Sequence, residues 1–224
     1  MGNIFLEFLF PRRCVGCGAL GGYFCKDCRS KIMLRDDLCP ECDRPTIDGR
    51  THDKCRSIYG LGGVTSVFRY EGVIKRAIKL LKYRFVSDIA QFLIEAIPQS
   101  KNVFRSYCPP DIYVYPIPLQ RDRLRWRGFN QAELLAKIFA GKINLPIAHE
   151  LLARHKQRIP QADIASRKDR IANAKGIFIK GSESVPKSLI LFDDVWTTGA
   201  TIKEATKVLK RNGATFIWAV TLAR

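Results

Sequence analysis

Asp193 and Asp194 close an apolar run, Ser188-Leu-Ile-Leu-Phe, and Thr197, Thr198, Gly199, Ala200 and Thr201 follow closely. Such a run reads as a buried parallel strand that delivers two carboxylates to its carboxyl end, where open α/β sheets bind their ligands. Gly199 would let the backbone approach an anion, and the three threonines can donate hydroxyl hydrogen bonds. A helix starting after the glycine would aim unpaired N–H groups at the same point. That cradle suits a phosphate. The two acids would repel one, and suit sugar hydroxyls or a Mg²⁺ beside it. The plainer alternative is a strand-to-helix turn in which Asp and Thr act only as caps. The stretch Gly176 to Gly181 has Gly-x4-Gly spacing but is followed by Ser182 and lacks the lysine, so it is not a Walker A loop.

A second concentration lies near the start of the chain: Cys14-x2-Cys17-x7-Cys25-x2-Cys28, then Cys39-x2-Cys42-x9-His52-x2-Cys55. Two residues between ligands let one tight turn present both groups to one ion, and two such turns complete the tetrahedron of a structural Zn²⁺. His52 in a cysteine's place supports metal over disulfides, as does the odd number of cysteines in this segment. Two zinc ions are expected. Consecutive quartets are the simpler pairing, and an interleaved one, with the first and third pairs on one ion, also satisfies the spacing. With no open position the sites would be structural, supplying much of the folding energy of a segment too short for a large core. Cys108, beside Pro109 and Pro110, reads as an ordinary thiol.

The third feature is Gln120-Arg-Asp-Arg-Leu-Arg-Trp-Arg-Gly128, with arginines at 121, 123, 125 and 127. If extended, the stretch puts all four on one face. If helical, Arg121 pairs with Arg125 and Arg123 with Arg127. Either way a dense cationic surface results, suited to pyrophosphate or to a nucleic-acid backbone. Trp126 and Phe129 are expected to pack on the sheet, with base stacking the alternative. Arg154 and Arg158, then Arg167 and Arg170, form a further basic run.

These residues need a scaffold, and the chain from residue 60 onward alternates strand-like and helix-like segments. Residues 62–70, 112–117, 188–192 and 215–222 read as strands. Residues 87–97, 131–143 and 202–211 read as helices, the last capped by Gly213. Another helix has Val73, Ala77, Ile78 and Leu81 on its apolar face and Lys75, Arg76, Lys79 and Lys82 opposite. The alternation predicts a mainly parallel sheet covered by helices on both faces. A small zinc-binding domain over residues 1–60 and an α/β domain over 61–224 follow. Residues 1–11, apolar but not preceded by a basic segment, read as a packing segment and not as an export signal. No run is long enough for a membrane helix, so a soluble, cytoplasmic protein, not membrane-embedded, is expected. The formal charge of +17 makes polyanions the natural partners, and thiolate ligation of zinc would lower it slightly without changing its sign.

Residues 189–201 resemble the phosphoribosyl diphosphate (PRPP) signature of type I phosphoribosyltransferases. The whole chain is similar to the ComF family of competence proteins. That likeness takes in the cysteine pairs, Pro116-Ile-Pro-Leu and Arg127-Gly-Phe-Asn-Gln-Ala132, and Gln161, Arg167 and Asn173; His52 departs from a commoner cysteine. The resemblance implies a type I phosphoribosyltransferase-like fold behind a double zinc ribbon-like module. It implies ribose contacts for Asp193 and Asp194, 5-phosphate contacts for Thr197, Thr198, Gly199, Ala200 and Thr201, and Mg²⁺ bound with PRPP. Some of the arginines at 121–127 would then face pyrophosphate. In function it implies handling of single-stranded DNA during natural transformation, with DNA-uptake proteins as partners. An active phosphoribosyltransferase with an unidentified acceptor, catalysed through Asp193 and Asp194, is the alternative, and a PRPP sensor without turnover a third reading.

Overall fold

A computed structural model describes residues 11–83, 87–154 and 167–224. Four strands build the central sheet: β1 (Gly63–Phe68), β2 (Ile112–Pro116), β5 (Ser188–Val195) and β6 (Phe216–Ala223), in the order β1-β6-β5-β2. All pairings are parallel. A separate antiparallel pair joins β3 (Leu152–Arg154) to β4 (Phe178–Lys180). The helices in chain order are α1 (Lys26–Ser30), α2 (Gly72–Tyr83), α3 (Ser87–Glu95), α4 (Arg121–Arg127), α5 (Gln131–Lys142), α6 (Arg167–Ala174) and α7 (Ala200–Arg211).

The run of apolar residues in β5 has no alternation in hydropathy, because the strand is buried on both faces. Its side chains still alternate in direction. Ile190 and Phe192 join one core with Ile74 and Leu81 of α2, Leu93 of α3 and Phe139 of α5. Leu189 and Leu191 join the opposite core with Ile202, Ala205 and Leu209 of α7 and with Phe178. The same pleat continues into Asp193 and Asp194, so the sheet sends the two carboxylates toward different layers.

Parallel sheets leave two edges, and both are covered here. At β1 the N-terminal module supplies extended backbone: Arg35 N–H donates to Val67 O at 2.9 Å and Thr51 N–H to Gly62 O at 2.9 Å. At β2, Val114 pairs with Ile147. A 3-10 helix, Gln99–Tyr107, clamps the module from the side. Its buried Lys101 donates to Arg35 O and Asp37 Oδ1, each at 2.6 Å, and Tyr107 OH donates to Asp48 Oδ2 at 2.7 Å.

The strands and helices expected in the α/β part are present, with ends shifted by one to three residues. The 3-10 helix, the β3–β4 pair and α6 were not anticipated; each is short or lacks apolar periodicity. Among the described residues no helix is long and apolar enough to cross a membrane. Residues 1–10, Arg158 and Gln161 fall outside the described residues.

Candidate phosphate-loop site and metal centres

β5 runs three residues further than the apolar stretch suggests, to Val195, so Asp193 and Asp194 are strand residues near its carboxyl end. Asp194 is buried, and its side chain reaches toward the α2 and α5 layer. There Lys82 Nζ lies 2.9 Å from Oδ2, and Gln131 Nε2 donates to the same oxygen at 3.2 Å. Burial alone would lower the Lys82 pKa, but Asp194 outweighs it and the net shift is upward. A charged ammonium is therefore fixed against Asp194.

Asp193 faces a cavity of about 500 Å³ that Thr197, Thr198, Thr201, Lys82, Arg123 and Arg154 also line. Its Oδ1 accepts the Asp194 N–H at 2.8 Å. Burial, and then the neighbouring Asp194 charge, raise its carboxyl to about 7. Arg154 is held over the Phe178 ring and donates to Pro118 O at 3.2 Å. Burial lowers its pKa, and Arg123 adds to that, though a guanidinium keeps its charge at neutral pH. The cavity thus gathers two guanidiniums, the Lys82 ammonium paired to Asp194, and one acid whose charge burial disfavours, an arrangement that favours an anion with hydroxyl groups beside it.

The loop after β5 is built on Gly199. Its φ of +71° lies in the left-handed region, and a Cβ there would come within 2.1 Å of the Trp196 ring. Only glycine fits both demands. Thr198 Oγ1 accepts the Ala200 N–H at 3.3 Å, which starts α7 at Ala200, two residues before its expected beginning. Thr201, in the first turn of α7, lines the same cavity, so the helix N-terminus opens where an anion gains most from it.

The arginine stretch is helical, which settles the choice between the two geometries: α4 places Arg121 near Arg125 and Arg123 near Arg127, and Gly128 ends it at a φ of +77°. Arg127 Nη1 donates to Gln131 Oε1 at 2.8 Å. A chain of polar contacts therefore runs from Arg127 through Gln131 to Asp194 and Lys82. Arg123 reaches the cavity, while Arg121 and Arg125 stay on the surface. Trp126 does not pack on the sheet as expected; it is 68% exposed because α4 stands off the core. Phe129 is half-buried.

In the N-terminal module the ligand groups converge as two consecutive quartets. Cys14, Cys17, Cys25 and Cys28 form one and Cys39, Cys42, His52 and Cys55 the other, with the atoms of each within 4.8 Å of one another. The interleaved pairing is thereby excluded. Backbone also prepares the sulfurs: the Cys25 N–H donates to Cys14 Sγ at 3.4 Å. His52 Nε2 is 3.1 Å from Pro45 O, and Nδ1 is 3.3 Å from Cys42 Sγ. A proton on Nε2 bonded to that carbonyl leaves Nδ1 as the ligand atom, the usual outer-shell arrangement of a zinc histidine. Both quartets fit a tetrahedral Zn²⁺ of structural type. Cys108 lies outside both, and burial pushes its thiol up to about 11.

Lys82, Gln131 and Arg154 were not singled out for this site from sequence. Lys82 was visible only as one cation on the polar face of α2, Gln131 only within a family motif, and Arg154 only in a basic run of unknown position. Their convergence needs the crossover connections of the sheet.

A double zinc module capping the edge of a parallel α/β unit, with paired acids and a threonine loop at one strand end, defines the class. Residues 5–56 match the family described as the double zinc ribbon domain. The chain is 30% identical over 210 residues to competence protein ComFC of Streptococcus pneumoniae (strain ATCC BAA-255 / R6), covering 89% of this chain and 87% of that protein. It is 28% identical over 214 residues to competence protein ComFC of Bacillus subtilis (strain 168), covering 89% and 83%. It is also 28% identical over 207 residues to the DNA utilization protein YhgH of Salmonella typhi, covering 89% of each. The chain belongs to the ComF family of competence proteins.

Proposed function

We propose that this protein acts in DNA uptake: its α/β domain, residues 61–224, binds a phosphoribosyl group and handles single-stranded DNA on the cytoplasmic side. The zinc domain, residues 1–60, braces it. The observation that carries the reading is the single cavity that holds Asp193, the three threonines, Lys82, Arg123 and Arg154. Thr197, Thr198, Gly199, Ala200 and Thr201 take the 5-phosphate at the head of α7, and Asp193 reads ribose hydroxyls directly. Asp194 would join it if Lys82 released the carboxylate to meet the pyrophosphate of PRPP, and the two acids would then hold the Mg²⁺ that neutralises the pyrophosphate charge.

The names of the relatives support the DNA role, and so does α4. Like charges at i and i+4 destabilise a helix by about 0.2–0.5 kcal/mol per pair. α4 carries two such pairs among its seven residues, a conflict that a phosphate backbone relieves. Exposed Trp126 offers a stacking face beside them.

Calorimetric titration with PRPP and Mg²⁺ tests the first half, with saturable binding expected and its loss in Asp193→Asn. Binding of a fluorescent oligonucleotide across a salt series tests the second. Affinity should fall steeply with salt, and the double variant Arg121→Gln, Arg125→Gln should reduce the slope by about two units. Binding that ignores both salt and these arginines would remove the DNA half. A second reading, transfer of phosphoribose to an acceptor, draws on the acids beside the cavity, which could stabilise positive charge developing on the sugar. Pyrophosphate release from PRPP with candidate bases, lost in Asp194→Asn, would establish it.

A further inference from the structure

Two ionic contacts run from the turn of the second quartet to the elements that carry the threonine loop. Glu41 sits between Cys39 and Cys42, and its Oε2 lies 2.9 Å from Nζ of Lys203, in the first turn of α7. The Lys203 N–H in turn donates to Gly199 O at 2.8 Å. Asp43, immediately after Cys42, is bonded to Arg224. The Arg224 guanidinium lies over the Trp196 ring, 5.4 Å from its centre. That ring is the floor beneath Gly199, and the Trp196 N–H is fixed to Ala223 O at 2.8 Å.

The turn presents its two acids in a set geometry. Asp43 N–H donates to Cys39 O at 3.1 Å, Cys39 N–H donates to Arg44 O at 2.9 Å, and Asp43 adopts a φ of +58°. A turn of that shape is held closed by metal at its two cysteines. One contact thus grips the loop from the helix side and the other from below. A groove of about 430 Å³ lies between the turn and the loop, and Glu41, Lys203, Thr198 and Ala200 all line it. Thr198 also lines the candidate phosphate cavity, so a shift of the turn changes a wall that the two spaces share. Among the described residues, the polar ties of the first module, Arg76 on α2 to Gly16 O and Arg12 to Asp88 on α3, do not reach that loop.

We propose that Glu41 and Asp43 are positioning residues for the anion loop, so that filling of the second zinc quartet sets the affinity of the cavity for a phosphorylated sugar. The affinity part rests on the phosphoribosyl reading above; the brace itself does not. Each contact is partly exposed and weak alone. Their effect comes from restraining one short loop at two points, which reduces the freedom lost when an anion binds.

The test uses the full zinc-loaded chain and four variants: Glu41→Gln, Lys203→Gln, the two combined, and Asp43→Asn, which keeps a residue tolerant of positive φ. Amide hydrogen exchange over residues 196–203 is measured without ligand, and ribose 5-phosphate affinity by calorimetry. Exchange over the loop should quicken about tenfold in Glu41→Gln and in Asp43→Asn. Lys203→Gln should match Glu41→Gln, and the combined variant should add little, as coupled partners do. Ribose 5-phosphate should bind about five- to tenfold more weakly in the same variants, with zinc content unchanged. Unchanged loop exchange, or additive effects of Glu41→Gln and Lys203→Gln, would overturn the brace. Faster exchange with unaltered affinity would overturn its control of the cavity. If the parent chain binds no ribose 5-phosphate, the phosphoribosyl reading and the affinity claim fall together, while loop exchange still decides the brace.

Discussion

Cys14, Cys28 and Phe24 of the first zinc module lie in the same buried cluster as Ile74 of α2 and Leu93 of α3, and Phe24 stacks on Phe92 at 3.7 Å. The second module is tied down by charge: Glu41 to Lys203, Asp43 to Arg224, and Tyr107 to Asp48. Nearly the same ligand spacing therefore serves two kinds of attachment. Apolar burial is non-directional and anchors a module strongly without specifying what it touches to a fraction of an ångström. Ionic and hydrogen-bonded ties contribute less but fix direction. The apolar anchor stands beside the structural helices and the directional one beside the loop that would bind ligand. One half of the protein is thereby stabilised chiefly by packing, its polar ties from Arg12 to Asp88 and from Arg76 to Gly16 O reaching only α3 and α2, and the other is oriented by charge.

The largest expected effect would break that contrast outright if it failed. Cys28 is buried in the core as well as offering a ligand, so Cys28→Ser removes a metal and leaves a polar group inside. A loss of about 3–5 kcal/mol of unfolding free energy is expected, enough to unfold a marginal domain. Cys55 is half-buried at the periphery; Cys55→Ser should also reduce zinc from two ions per chain to one, but at a smaller cost to global stability. Denaturant midpoints combined with elemental zinc analysis measure both. Equal losses would mean that the two attachments are energetically alike.

The zinc quartets and the apolar strand that leads into Asp193 could be read from the sequence because both are local. Ligand spacing within a turn and an apolar run before two acids need no knowledge of the rest of the chain. The second quartet's role beside the loop could not be read, since Glu41 and Lys203 are separated by most of the chain and meet only because β1 and β6 are neighbours. Lys82 escaped for the same reason. The arginine stretch fits either period on composition alone, and only the glycine after it, at positive φ, ends it as a helix. The two aspartates looked like an equivalent pair. The pleat of β5 separates them into one that lines the cavity and one neutralised by Lys82.

A smaller effect probes how finely the charged half is oriented. Gly199→Ala places a Cβ 2.1 Å from the Trp196 ring at a φ that alanine rarely adopts. The backbone strain costs about 1–3 kcal/mol, and the ring must move off Arg224 or the loop must rise. Ribose 5-phosphate affinity should fall with it, while zinc stays at two ions per chain. Retained affinity in a protein whose Trp196 fluorescence has changed would show that the loop tolerates displacement and needs no brace.

The smallest effect separates the halves by pH. Asp193 has its carboxyl raised to about 7 by burial and by the Asp194 charge, against an ordinary value of 3.8. Between those values the folded chain keeps a proton that the unfolded chain has released, so stability falls as pH rises through this window and is level above it. Lys82 acts elsewhere: its raised pKa gives stability that is complete below its ordinary value of 10.5 and is lost as pH rises from there through the shifted one. Asp193→Asn keeps an oxygen for the Asp194 N–H and removes the titration. The variant should melt about 2–4 °C higher than the parent at pH 8, which corresponds to roughly 1 kcal/mol at this size, with little difference at pH 4. The gain comes with weaker sugar binding, the usual exchange where a site stores an unfavourable charge. In a Cys55→Ser background the same gain should persist, because the acid lies in the sheet and not in the brace; a gain that disappears there would mean that the second quartet sets the electrostatics of the cavity as well as the position of its loop.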